Sequence, residues 1–163
     1  MSDIYLIFYA ALFGLVYFLC LLGAMAAMAH HASANATKAI SHIPAQSGLL
    51  NLIEQSARNL AYRPVSHKTT NQTLILRKGK GWLTSLTQLH IALQDDGSAQ
   101  MEVLEGVNFL FTKIYFPITA STFLGLPIRK RKVKHINTLL QQFNAQPLVF
   151  DKTHSNKKIR FKK

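Results

Sequence analysis

The first thirty-one residues, MSDIYLIFYAALFGLVYFLCLLGAMAAMAHH, contain no Lys or Arg. A secretory signal opens on a positively charged stretch and carries an apolar run of only about 7–15 residues. Here Met1-Ser2-Asp3 supplies a lone acid, and the 26 residues from Ile4 to Ala29 are uncharged. Roughly 20 residues suffice for a helix to cross the hydrocarbon core. A helix of a soluble core would keep a polar stripe, and this run has none. The sequence predicts a retained transmembrane anchor over residues 1–32.

Cysteine is nearly absent. Cys20 stands alone within the apolar run, which excludes a disulfide framework. With no second thiol, metal binding would fall to the seven histidines. His30 and His31 are adjacent, and no two histidines stand four apart as a helical zinc site requires. Neither a metal nor a cofactor is expected. Acids are scarce too, seven against nineteen Lys and Arg. Asp95 and Asp96 read as turn residues, Glu102 as the outer face of a hairpin, and Glu105 as a neighbour of a bulge at Gly106. No pair suggests the enclosed, tuned carboxylates of acid–base catalysis. No catalytic residue is assigned, and the chain is not read as an enzyme.

What the sequence does hold is positive charge, +12 in all, and unevenly placed. The last 35 residues carry eleven basic side chains against Asp151 alone. One cluster is Arg129, Lys130, Arg131, Lys132 and Lys134; the other is the tail, with Lys157, Lys158, Arg160, Lys162 and Lys163. Cations crowd the first turns of a predicted helix, where the helix dipole disfavours them. An anionic partner would account for this, since Lys and Arg near an anionic membrane gain about 1 kcal/mol each. These ten residues are the candidate anionic-surface site. A weaker phosphate candidate is Arg77, Lys78 and Lys80 around two glycines; it lacks the Walker pattern. With Lys and Arg absent before the anchor and Lys38 after it, the domain is placed on the cytoplasmic side.

Between anchor and tail the pattern is α+β. Residues 33–46 read as a polar linker and 47–150 as a small basic domain. Residues 151–163 read as a disordered basic tail. Ser47 should cap a helix to about Tyr62. Leu89, Ile91 and Leu93 alternate with polar neighbours up to Asp96-Gly97, and Met101 and Val103 resume the apolar face, which defines a β-hairpin. Residues 107–123 read as one more buried strand. From Pro127 to about Phe143, a stripe of Val133, Ile136, Leu139, Leu140 and Phe143 predicts a second helix. The expected architecture is one transmembrane helix followed by an antiparallel sheet of three to five strands packed with two helices.

The function expected is that of a non-catalytic, single-pass adaptor or accessory subunit, partnered by anionic lipid or an acidic protein. Two alternatives stand beside it: a membrane-tethered nucleic-acid-binding protein, and a lipid- or small-ligand-binding domain with a cavity lined by Phe109, Phe111 and Tyr115.

Overall fold

The computed structural model describes residues 2–35, 37–65, 72–79, 85–109, 112–120 and 125–150. The chain is α+β, and its described residues form three helices and a six-stranded antiparallel sheet. The first helix, α1 (Ser2–Asn35), is 34 residues long. Its stretch Tyr5–Met28 is long and apolar enough to cross a membrane. All side chains from Tyr5 to Leu21 are exposed, whereas Leu22, Met25, Ala26 and Met28 are half-buried. Those four recur at helical spacing and form one contact stripe. It lies against the sheet, since α1 packs on β6 (Thr112–Pro117) and touches β5 (Ala99–Phe109).

The segment expected as a linker contributes structure instead. Its last part forms β1 (Ile40–Ile43), paired with β5 through Ile40↔Glu102 and Ile43↔Ala99. Ile43 is buried and Ser41 donates to the Gln146 carbonyl at 2.6 Å. Helix α2 (Leu49–Asn59) is capped by Gly48 in the left-handed conformation, with no side-chain cap. Ser47 is therefore one residue too early for the role expected of it. Ala61, at φ 64°, then turns the chain into β2 (Arg63–Pro64), which pairs with β3 (Thr73–Lys78).

The hairpin expected around Asp96-Gly97 is present. It joins β4 (Leu86–Leu93) to β5, with Leu89↔Val103 and Ile91↔Met101 facing each other. Gly97 takes φ 79°, and Ser98 donates its backbone N–H to Asp96. Two expectations for the next stretch are corrected. Gly106 is not a bulge, because the pairing with β4 and β6 runs through it without a skipped residue. Its lack of a side chain serves contact: a Cβ there would sit 2.8 Å from the Tyr115 ring. Residues 107–123 are not one strand either, since β5 ends at Phe109 and β6 begins at Thr112.

The strand order is β1-β5-β4-β3-β2, with β6 also on β5. β1 and β6 share one edge of β5 end to end, so six strands stand where three to five were expected. Leu74, Leu76, Leu89, Ile91, Met101 and Val103 alternate onto one face and are buried there. Ile53 and Ala57 of α2 join the same core, as do Val133, Ile136, Leu139 and Leu140 of α3 (Leu126–Gln142). Asn144, at φ 53°, ends α3 where expected. The chain then returns as a strap, residues 145–150. Asn137 holds it by accepting from the Leu148 N–H at 2.8 Å and donating to its carbonyl at 3.0 Å. The tail from 151 lies outside the described residues.

Candidate functional site

Helix α3 repeats every 3.6 residues, so Arg129 lies on the same face as Val133, Ile136 and Leu140. It is correspondingly buried, at 1% exposure. Its Nη1 donates to the carbonyls of Ile118 (2.9 Å) and Ala120 (2.7 Å), and its guanidinium lies 5.5 Å from the Phe116 ring centre. Burial lowers its pKa, with the charge of Glu105 opposing that shift.

Lys132 also turns inward. Its ammonium uses all three donors, on Glu105 Oε1 (2.7 Å), Ser85 Oγ (2.7 Å) and Thr87 Oγ1 (2.8 Å). Thr87 in turn donates to Glu105 Oε2 at 2.9 Å. Glu105 reaches this place because it follows Met101 and Val103 on the core-facing side of β5. At 2% exposure, its carboxylate finds both its hydroxyl and its ammonium partner within the domain. Nearby, burial and then the charge of Glu105 push the Tyr62 hydroxyl far above its usual range, keeping it neutral. The cluster is closed upon itself, as a structural ion pair is.

The cluster of five helix cations is thus divided. Arg129 and Lys132 belong to the interior, and reversing them to acids would unfold the helix's seat on the sheet. Lys130, Arg131 and Lys134 are exposed on the other side, with Ile128 beside them. α3 carries no acidic residue. Among the described residues, ion pairs join Arg58 to Glu54 and Lys132 to Glu105, and none reaches these three cations. Between α3 and the strap runs an open groove of about 510 Å³ lined by Lys130, Lys134, Asn137 and Phe150 among others. The tail cations Lys157, Lys158, Arg160, Lys162 and Lys163 lie outside the described residues.

The weaker phosphate candidate does not converge. Arg77 and Lys78 are consecutive in β3 and point to opposite faces of the sheet. Lys78 donates to the Leu60 carbonyl at 2.8 Å and lies over the Tyr62 ring. Lys80 lies outside the described residues. Of the residues offered for a cavity, Tyr115 sits over Gly106 on the face away from the core. The side chains of Phe109 and Phe111 lie outside the described set. Among the described residues no three His, Cys, Asp or Glu side chains come together as a metal site. Comparison with protein families, curated proteins and solved structures finds no match to this chain.

Proposed function

We propose that the chain is a single-pass membrane protein whose basic domain serves as a non-catalytic adaptor at the anionic face of the cytoplasmic leaflet. The observation that carries this reading is the outer face of α3, where Lys130, Arg131 and Lys134 stand exposed without an acid on the same helix. An apolar α1 with every side chain from Tyr5 to Leu21 exposed supports the anchor. The self-satisfied Glu105–Lys132 network leaves its acid and base engaged with each other, which favours a binding role over catalysis.

A chain beginning at Thr37, which keeps β1, should sediment with vesicles containing phosphatidylserine and not with vesicles of phosphatidylcholine. At about 1 kcal/mol per cation, neutralising Lys130, Arg131 and Lys134 to Gln should weaken binding about 100-fold. Added salt should weaken it too, as the screening length falls from about 8 Å at physiological strength to about 3 Å at 1 M. Equal binding to neutral vesicles, or preference for duplex DNA over anionic vesicles, would refute the proposal. A reporter fused after Lys163 that is active only outside the cytoplasm would refute its sidedness.

A further inference from the structure

We infer that the domain sits on the bilayer in one fixed orientation. In it, the end of the sheet marked by Lys78 of β3, Leu86 of β4 and Thr112 of β6 is turned to the headgroups. This deepens the reading that α1 spans the membrane and rests on it.

The argument starts from the length of α1. Its free apolar part, Tyr5–Leu21, is 17 residues, or about 25 Å of helix. That is the short end of the roughly 17–25 residues a spanning helix uses, and the apolar window runs on to Met28. Within the rest of that window Leu22, Met25, Ala26 and Met28 are half-buried, and α1 packs on β6. The same turns of helix cannot reach into the bilayer and dock on β6 unless the neighbouring end of β6 lies at the membrane surface. No spacer separates anchor from domain.

Which end of β6 this is follows from the connectivity. From Asn35 the chain needs only residues 36–39 to reach Ile40, which pairs with Glu102, two residues before the partner of Pro117. The C-terminus of α1 therefore lies near the Pro117 end of β6. Leu22 lies about 20 Å back along the helix, close to the length of a six-residue strand. That brings the start of the docked stripe to Thr112, the end at which β6 pairs with Phe109.

The last residue of β3, Lys78, and the first of β4 lie toward this same end, since Leu86 pairs with Gly106. Helix α3 lies over the middle of β5, with Arg129 on Ile118 and Ala120 and Lys132 on Glu105 and Ser85. Exposed Lys78 and Lys113 thus lie toward this pole, Lys78 opposite Thr87 and Lys113 opposite Asn108. The opposite pole carries the exposed acids Asp95 and Asp96 in the β4–β5 turn. The ten-residue advance of β5 from Ala99 to Phe109 separates the poles by about 34 Å. A basic pole at the point where the anchor leaves, and an acidic pole far from it, is the orientation anionic headgroups favour.

The test uses the full chain, with the lone Cys20 changed to Ser, in bilayers. Lys113→Cys, Ile128→Cys and Asp96→Cys, all at exposed positions, each take an environment-sensitive fluorophore. Nitroxide-headgroup lipids should quench the Lys113→Cys label several-fold more strongly than the Asp96→Cys label, with the Ile128→Cys label between them. The contrast should persist in purely zwitterionic bilayers, because the docked helix and not the lipid charge sets it. Equal quenching at all three positions, or stronger quenching at Asp96→Cys, overturns the inference. A contrast that vanishes in zwitterionic bilayers also overturns it while leaving the anionic-surface reading intact. Release of the chain by alkaline carbonate removes the span and the orientation together.

Discussion

Replacing Lys132 by Met should cost far more than the loss of a surface charge, and the structure sets the scale. The Lys132–Glu105 pair is 2.7 Å long, and its carboxylate is 2% exposed. Among the described residues, removing the ammonium leaves that carboxylate with the Thr87 hydroxyl. Breaking a buried pair from one side typically costs about 3–5 kcal/mol, because a charge stays behind uncompensated. The Lys132 side chain is 21% exposed, so water can partly replace it and the lower end, about 3 kcal/mol, is expected. Against a total stability of about 5–15 kcal/mol, that is a large fraction. Replacing both residues by Met removes the charge as well as its partner, and should bring the loss back below about 1 kcal/mol.

The measurement is a double-mutant cycle by urea denaturation of the full chain in mild detergent, followed by the near-ultraviolet signal of the domain. The coupling between the two sites should exceed about 1 kcal/mol, as expected for residues in one network. A cost below about 1 kcal/mol for Lys132→Met, or a double variant no better than the single, would show that Lys132 is a solvated surface cation after all.

Arg129→Lys should destabilise the chain by about 2 kcal/mol in the same assay, because the shorter side chain falls short of the Ile118 and Ala120 carbonyls and takes the planar guanidinium away from the Phe116 ring. A neutral outcome would remove Arg129 from the core. Gly97→Val should cost about 1–3 kcal/mol, as a β-branched residue is forced to φ 79°. Asp96 beside it has its pKa lowered by the Ser98 hydroxyl and then by the Ser98 amide. The stability it adds should therefore be present above the unfolded carboxylate range and be lost as pH falls through the lower folded value. Asp96→Ala should flatten that part of the pH–stability curve, and an unchanged curve would refute the assignment.

The β4–β5 hairpin is legible because three signals agree: apolar residues at every second position, an Asp-Gly turn, and a second strand in register. The α3 stripe is legible for the same reason at a period of 3.6. β1 is not, since ISHI offers two apolar residues in a segment rich in Ala and Ser, and its pairing with β5 is a contact across 60 residues of sequence. The β5–β6 junction escapes because VNFLFTKIYF is apolar on both alternating faces and lacks Gly, Asn or Pro at the reversal. The inward turn of Arg129 and Lys132 was readable in principle. Arg129 stands four before Val133 and Lys132 four before Ile136, while Glu105 is two after Val103 in the same strand phase. Charge density drew attention to the cluster as a whole, and only helical phase separates its members.

That separation has a consequence for salt. Five cations in the first turns oppose the helix dipole, and they repel one another. Inside the domain the opposition is met by the carbonyls of Ile118 and Ala120 and by Glu105, contacts too buried for mobile ions to screen strongly. Outside, Lys130, Arg131 and Lys134 have no such acceptor among the described residues. Raising salt should therefore stabilise the free domain by about 0.3–1 kcal/mol, the worth of a charge at a helix end, through those three residues alone. The same salt should release the domain from anionic vesicles. Replacing Lys130, Arg131 and Lys134 by Gln should raise stability at low salt, abolish its salt response and weaken the salt-sensitive vesicle binding, while Lys132→Met does none of these. Salt that destabilises the isolated domain, or a triple Gln variant that keeps the salt response, would show that the outer face of α3 is not where the unbalanced charge resides.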